Sequence, residues 1–460
     1  MKPPRMFSSK HRIGVIGILY SGKTVFITSL LNHIRDHDPE LLRLKNGPTQ
    51  ITFNKELDPD NGIERFPYAM HRAEAHRVWP SKTEKTSQYR CSFFRSDWPW
   101  TEGELTLVDI PGERLSDIVM AGMDYQQWSD WVLTQMQEDR DPEYRKICTD
   151  YIQFLQSLGD FSRDPVSLEN ARRQIIERYS VILARLFLGF RPIVSPSAFV
   201  LAPNGDYLGQ SVVDNKLSDC HPGLDAQRCF APIPQEFAKK NLALVKIFSS
   251  HYEAYRREMA IPMKDLFKSC NELVVVVDVA TILMGNTAMY IGVRDLVHRI
   301  VDLLDPGHSF FGTILGSVFG FWGIQRLAFV ATKADLVQRE QMPRLEGLLR
   351  QMTSGFINRL VETKNRLQCE YFACSAVVST IRQEGGKLAS IYPEPQKFGD
   401  KWVEVGDVWT PSDLPERWPD DWKDGDFKFR SVPPKFPKNI HTPPKHIKLE
   451  ALLDFLLDPI

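Results

Sequence analysis

Eight consecutive residues, Gly17-Ile18-Leu19-Tyr20-Ser21-Gly22-Lys23-Thr24, carry the pattern G-x-x-x-x-G-K-S/T. That spacing serves phosphate chemistry. Glycines let successive backbone N–H groups approach one anion, a lysine adds a point charge on the β- and γ-phosphates, and the threonine hydroxyl holds Mg²⁺. Tyr20, Ser21, Gly22, Lys23, Thr24 and Val25 are the candidate phosphate-loop contacts. A second group is Leu107-Val108-Asp109-Ile110-Pro111-Gly112. Here a carboxylate at a strand end would face the metal, and the Gly112 N–H would approach the terminal phosphate. Lys23, Asp109, Gly112 and the adjoining Glu113 are therefore catalytic candidates, with Thr24 and Asp109 as metal ligands.

Two later groups read as base recognition. In Thr332-Lys333-Ala334-Asp335 the carboxylate can accept two hydrogen bonds from an edge that offers N–H and NH₂ side by side. Guanine has that edge and adenine does not, so the wrong base leaves a buried acceptor unpaired. The aliphatic stem of Lys333 would pack on base and ribose. In Cys374-Ser375-Ala376-Val377, backbone N–H groups would face the guanine carbonyl. The ligand expected is GTP or GDP with Mg²⁺.

These groups need strands to end where they begin. Arg12–Gly17 is a β-branched run that enters the glycine loop, and apolar residues recur at helical spacing from Val25 to Ile34. Ser87–Phe94 and Leu105–Asp109 read as strands with a short polar connection around Pro99 and Gly103. A parallel crossover takes a dozen residues or more, so these two should be antiparallel neighbours. Leu273–Asp278, Leu327–Ala331 and Tyr371–Cys374 read as further strands, with helices at about 291–304 and 344–369. The expected fold is α/β, a mixed sheet with one antiparallel strand.

Between Glu113 and about Lys268 the pattern is helical, with stripes such as Tyr144, Ile147, Tyr151 and Leu155, or Ile175, Tyr179 and Ile182. A loop-rich patch interrupts it at Pro192–Pro234. The division expected is 1–113 and 269–379 as a nucleotide-binding domain, 114–268 as an inserted all-helical domain, and 380–460 as an extension. Residues 46–85 read as a long polar loop with one helical patch near 68–77. From Thr380 the chain is rich in Pro, Trp and Asp with little periodicity, and Leu449–Leu457 is an amphipathic terminal helix.

Bulk properties narrow the classes. At 460 residues, 43% apolar and 25% charged, the chain has material for more than one globular unit. A net charge of −1 supplies no field to recruit nucleic acid. Seven scattered cysteines, an odd number, point to reduced thiols and a cytoplasmic setting. No run reaches the roughly 18–20 apolar residues needed to span a bilayer. The glycine- and aromatic-rich run 310–324 is left open as a buried packed segment, an interfacial anchor or a partner surface.

Phosphate loop, D-x-x-G, N/T-K-x-D and S-A in this order resemble the motif set of Ras-like GTPases of the P-loop NTPase class. With Trp79-Pro80-Ser81-Lys82-Thr83, Asp109–Glu113 and the large insertions, the chain looks like the YcjX-like family of bacterial stress-associated P-loop GTPases. The resemblance implies a GTP-binding fold with a helical insertion, and a link to envelope stress and a membrane-protein partner. It also puts Trp79, Ser81, Lys82 and Thr83 at the nucleotide. A switch threonine should stand between the first helix and the antiparallel strand, binding Mg²⁺ and the γ-phosphate. Thr83 and Thr86 both qualify by position, and Thr83 is favoured. A cytoplasmic protein is expected, with peripheral contact at the inner membrane and the oligomeric state left open, a monomer being favoured.

Two departures bear on mechanism. Glu113 stands where Ras-like enzymes carry a water-orienting glutamine, and a carboxylate is repelled by a γ-phosphate and donates no N–H. Leu19 would crowd an arginine finger in trans, so a catalytic cation in cis, from Lys82, Arg77 or Arg114, is the alternative. Slow hydrolysis follows. A nucleotide-switched interaction protein with negligible turnover is the competing reading, and an ATPase a third. Cys220-His221 with Cys229 lacks a fourth ligand for zinc, and His11, His33, His71 and His76 read as surface histidines.

Overall fold

The computed structural model describes residues 7–17, 21–44, 50–60, 62–75, 86–98, 101–138, 142–159, 164–188, 196–200, 228–304, 323–363, 367–398 and 401–457. Trp79, Ser81, Lys82 and Thr83 lie outside them, as do Leu19, Tyr20, Arg77, His76, Cys220, His221 and most of the run 310–324. The chain divides into two compact units. One comprises Met1–Gly112, Ser269–Arg294 and Gly323–Ile460, the other Glu113–Lys268 and Asp295–Trp322.

In the first unit, β1 (Phe7–Gly17) leads to α1 (Lys23–Arg35), then β2 (Ile51–Leu57), β3 (Glu64–Arg65), α2 (Tyr68–Glu74), β4 (Ser87–Arg95) and β5 (Thr101–Pro111). The second unit begins with α3 (Leu115–Met120), α4 (Tyr125–Glu138), α5 (Pro142–Ser157), α6 (Pro165–Leu188) and α7 (Ser197–Val200). It continues with α8 (Gln235–Lys240), α9 (Leu242–Tyr255) and α10 (Ile261–Lys268). The sheet then resumes with β6 (Glu272–Val277), α11 (Val279–Met284) and α12 (Thr287–Leu304), followed by β7 (Arg326–Ala331), α13 (Met342–Thr363) and β8 (Gln368–Ala373). Last come β9 (Thr380–Gln383), β10 (Lys387–Phe398), β11 (Lys401–Trp409) and α14 (Leu449–Leu457).

The main sheet runs β2-β4-β5-β1-β6-β7-β8, with β3 beside β4. From β5 through β8 every pairing is parallel, whereas β4 is antiparallel to both β2 and β5. This is a mixed, mostly parallel P-loop NTPase sheet in which β4 is the antiparallel neighbour that the short β4–β5 connection demanded, and the two-residue β3 runs parallel to β4. β6 is buried along its whole length, because helices cover both faces and leave no reason for apolar–polar alternation. Val274, Val276, Ala328, Val330 and Phe372 point to the face that α1 and α14 cover. Phe329 and Tyr371, one residue out of phase, stack on the other face, where the Tyr371 hydroxyl meets Thr353 Oγ1 of α13 at 2.6 Å. In α14, Leu449, Leu452, Leu453 and Leu456 are fully buried, the i, i+3, i+4, i+7 stripe that marks a one-sided helix.

Two stretches read as irregular hold strands. β2 lies inside the supposed polar loop 46–85. As an edge strand it needs few apolar residues, and Lys55 and Glu56 suit its open side. The extension holds a three-stranded antiparallel sheet, β11-β10-β9. Pro393 and Pro395 hid β10, and the register between β10 and β11 shifts between Ile391 and Gln396 to accommodate them.

Every described element of the second unit is helical. Its aromatic core is built from Tyr125, Trp128, Phe199, Phe230 and Tyr252, all buried. The end of the supposed loop patch is part of that core. Cys229, Phe230, Ala231 and Ile233 are fully buried. Carbonyls of this non-helical stretch accept from Tyr125 Oη (to Ala231, 2.7 Å), Tyr151 Oη (to Pro232, 2.9 Å) and Ser129 Oγ (to Ile233, 2.8 Å). Side-chain donors thus do what water does for an exposed loop. Buried Asp117 in α3 accepts from the Ser197 N–H (3.0 Å) and the Tyr255 hydroxyl (2.7 Å), and pairs with Arg114 at 3.4 Å.

Candidate functional site

Parallel register brings the chemistry-bearing ends of five strands to one edge of the first unit. β1 ends at Gly17, paired with Pro111 at the end of β5, and Gly17 is also aligned with Val276. β6, β7 and β8 end at Val277, Ala331 and Ala373. Ligands of open α/β sheets bind at this carboxyl-terminal edge.

On the phosphate side, Gly22 caps α1 with φ 76°, a left-handed conformation that suits glycine. The two motif glycines meet closely: a Cβ on Gly112 would stand 2.6 Å from the Gly17 carbonyl oxygen. Lys23 Nζ donates to the Ile110 carbonyl at 2.9 Å and forms an ion pair with Asp109. Lys23, Asp109 and Gly112 are therefore together. The Asp109 carboxylate is buried, and no other hydrogen-bond donor among the described residues reaches it. Thr24 stands in the first turn of α1, directly after Lys23. Ser87 is in register with Asp109. The hydroxyls of Ser87 and of Thr86 before it are buried without a hydrogen-bond partner among the described residues. Glu113 continues from Gly112 into a short 3₁₀ turn. The described residues contain no group of three His, Cys, Asp or Glu for a metal. A phosphate-bound Mg²⁺ needs only one or two carboxylates with hydroxyl and phosphate oxygens, and buried Asp109, reached among the described residues by Lys23 alone, fits the carboxylate part of that need.

On the base side, Asp335 is buried and its carboxylate is held from two directions. Ser375 Oγ donates to Oδ1 at 2.6 Å, and the Ser379 N–H donates to Oδ2 at 2.8 Å. Burial pushes the Asp335 carboxyl up from its ordinary range, and these two donors oppose the rise. Ser375 thus orients the carboxylate with its side chain, a role beyond the backbone one expected. Lys333 adopts φ 58°, unusual for a residue with a side chain. Its ammonium is tethered to Asp278 Oδ2 at 2.6 Å. A Cβ on Gly22 would lie 3.9 Å from Lys333 Cε, so the lysine stem passes over the phosphate loop. The two sides are tied directly, since Thr332 Oγ1 donates to the Ser21 carbonyl at 2.8 Å and Ser29 Oγ to the Ala376 carbonyl at 2.6 Å. A pocket opens between them, lined by Ser21, Gly22, Lys333, Asp335, Ser375 and Val377 among others.

The structure adds residues that the sequence reading passed over. Asp278 caps α11, accepting from the Thr281 N–H at 2.9 Å, and anchors Lys333. Three supposed surface histidines are buried. His11 Nδ1 pairs with Glu272 Oε1 at 3.1 Å at the opposite end of β6. His33 packs against His446 of the extension with ring centroids 4.7 Å apart, and burial, with the neighbouring His446 charge, drives its pKa down to about 3. His71 lies within reach of the Asp109 charge. Burial lowers its pKa more than that carboxylate raises it. Tyr68, His71, Arg72 and Ala75 share one helical face, and that spacing was the available signal.

The sequence matches the YcjX-like family, DUF463, over residues 11–459. Relatives include the "Ras-like GTPase YcjX" of Shewanella oneidensis, 24% identical across 97% of this chain and 93% of that protein. Another, of the same name, is from Escherichia coli K12, 23% identical across 97% of this chain and 95% of that protein.

Proposed function

Because this chain belongs to the YcjX-like family, we propose that it binds guanine nucleotide and slowly hydrolyses GTP to GDP with Mg²⁺, as an enzyme whose nucleotide state is read by other surfaces. The observation that carries the reading is the buried Asp335 carboxylate, oriented by Ser375 and Ser379, on the same sheet edge as the Lys23–Asp109 pair. A guanine edge would share the Asp335 oxygens, the Lys333 stem would cover the base, and the start of α1 would receive the phosphates. Bound Mg²⁺ supplies charge neutralisation on the β- and γ-phosphate oxygens. Thr24 and Asp109 would hold it, with Thr83 or Thr86 as the switch threonine. In this reading Lys23 exchanges its contacts with Asp109 and the Ile110 carbonyl for phosphate oxygens, and Gly112 gives its N–H to the γ-phosphate.

Glu113 in place of a glutamine supports slow turnover, and for the same reason supports the second reading, a nucleotide-switched scaffold with negligible hydrolysis. The helical unit, read as an insertion at 114–268, and the segment carrying Trp79, Ser81, Lys82 and Thr83 are the parts proposed to respond to nucleotide. Arg114, paired with Asp117, is the one described candidate for a cation in cis. A stress-associated role, a membrane-protein partner and a monomeric, cytoplasmic or inner-membrane-peripheral state belong to this proposal. Among the described residues no helix is long and apolar enough to cross a membrane.

Competition of GTP, ATP and XTP against fluorescent GDP, followed by single-turnover phosphate release, tests it. GTP should compete and ATP should not, with slow release that Lys23→Ala abolishes. ATP competing equally would overturn the base assignment. Release no faster than in Lys23→Ala would leave the scaffold reading in its place.

A further inference from the structure

We propose that the C-terminal segment 432–442 is a working part of the nucleotide site: it walls the base pocket at one end, is clamped to α2 at the other, and must move for nucleotide to leave. The inference rests on the guanine-nucleotide reading above and adds to it a control over release.

Four observations converge. Val432 and Pro434 line the same pocket as Asp335, Ser375 and Ser379, so the extension contributes apolar wall to a site otherwise built from motif loops. The Lys435 N–H donates to Ser379 Oγ at 3.0 Å, and Ser379 in turn donates its N–H to Asp335. Movement of the segment is therefore felt by the base-reading carboxylate within two residues. Phe436 is fully buried against Val377 of the base loop, Val25 of α1 and Ala75 at the end of α2. Beyond it, Arg72 Nη2 donates to three carbonyls of the segment: Pro437 at 3.0 Å, Asn439 at 2.8 Å and Thr442 at 3.0 Å.

Arg72 locks this irregular segment to α2. Arg72 is 1% exposed, and burial lowers its pKa. Its Nε donates to Asn32 Oδ1 of α1 at 2.6 Å. Nη1 is buried with no hydrogen-bond partner among the described residues, so the carbonyls that meet Nη2 are most of what offsets burial of the charge. They are lost if the segment lifts, and a buried charge without partners is costly. The segment and α2 therefore hold or release together. α2 stands immediately before Trp79–Thr83 in the chain, so a change there has a covalent route to the wall of the base pocket. Asn32 Nδ2 adds a bond to the Ile440 carbonyl at 3.2 Å, fixing the same segment to α1.

The test is displacement of fluorescent GDP from the full chain by excess GDP in a stopped-flow instrument. Val432→Ala with Pro434→Ala trims the wall without touching a hydrogen bond, and should speed release by about tenfold or more. Arg72→Met, at a position that does not line the pocket, should accelerate release comparably, because it removes every donor to the Pro437, Asn439 and Thr442 carbonyls. Hydrogen exchange in wild-type protein gives a readout that needs no variant: amides of 432–442 should exchange at least several-fold more slowly with GDP bound. Wild-type protein that fails to bind GDP overturns the guanine reading itself. GDP binding with unchanged release in the Val432→Ala/Pro434→Ala variant, or unchanged exchange in 432–442, overturns the control proposed here and leaves that reading intact.

Discussion

The two sides of the nucleotide site differ in how completely their polar groups are engaged. At the base side, Asp335 is held by Ser375 and Ser379, Lys333 by Asp278, and Thr332 by the Ser21 carbonyl. At the phosphate side, the buried Asp109 carboxylate has Lys23 beside it, while the hydroxyls of Thr86 and Ser87 have no partner among the described residues. In the proposed reading, a base-reading acceptor rejects the wrong edge only if it cannot reorient to suit it. Phosphate and metal contacts would differ between GTP and GDP, so groups that keep bonding capacity suit a changing ligand.

The comparison can be broken in several ways, and acid should have the largest effect. His33 is neutral and buried beneath the extension. As pH falls from 6.5 towards about 3, the unfolded chain takes up a proton that the folded chain refuses, so stability is full above 6.5 and lost through that window. The loss is about 4–5 kcal/mol over the whole window. Urea midpoints across that range should fall steeply in wild type and less so in His33→Gln. An equal fall in both would show that the packing under the extension tolerates charge.

On the phosphate side, Lys23→Ala should lower single-turnover GTP hydrolysis by about 10²–10³, since it removes charge placed where charge develops. Asp335→Asn should weaken GTP binding about 10²-fold and improve XTP binding, read by competition titration. The smallest effect distinguishes a held carboxylate from a merely present one. Ser375→Ala should cost roughly tenfold in GDP affinity by leaving Asp335 one donor short, with ATP still excluded. If Ser375→Ala is silent, the base side is not pre-set and the contrast between the two sides fails.

Much of this was legible in residue order. D-x-x-G and T-K-x-D after a phosphate loop placed Asp109 and Asp335 on strand ends, and the brevity of the β4–β5 connection demanded an antiparallel pair. The terminal helix declared itself through Leu449, Leu452, Leu453 and Leu456. β2 and β10 were not legible, because an edge strand carries little apolar pattern and Pro393 and Pro395 argue locally against a ladder that a bulge permits. Cys229–Ile233 looked like loop because its burial depends on hydroxyls of Tyr125, Ser129 and Tyr151 far away in sequence.

By itself the sequence determined the candidate phosphate- and base-site residues, their order, and the strands they follow. Those follow from local rules: glycine where backbone must approach backbone, β-branched runs where both faces are covered, a carboxylate where a strand ends. Only the tertiary structure decided that His33 and His71 are buried, that Asp278 holds Lys333, and that Arg72 clamps the C-terminal segment. Each depends on a partner remote in sequence or on a face that another segment covers. The helix faces carrying His33 in α1 and Arg72 in α2 read as solvent-exposed until residues more than 350 positions away fold over them.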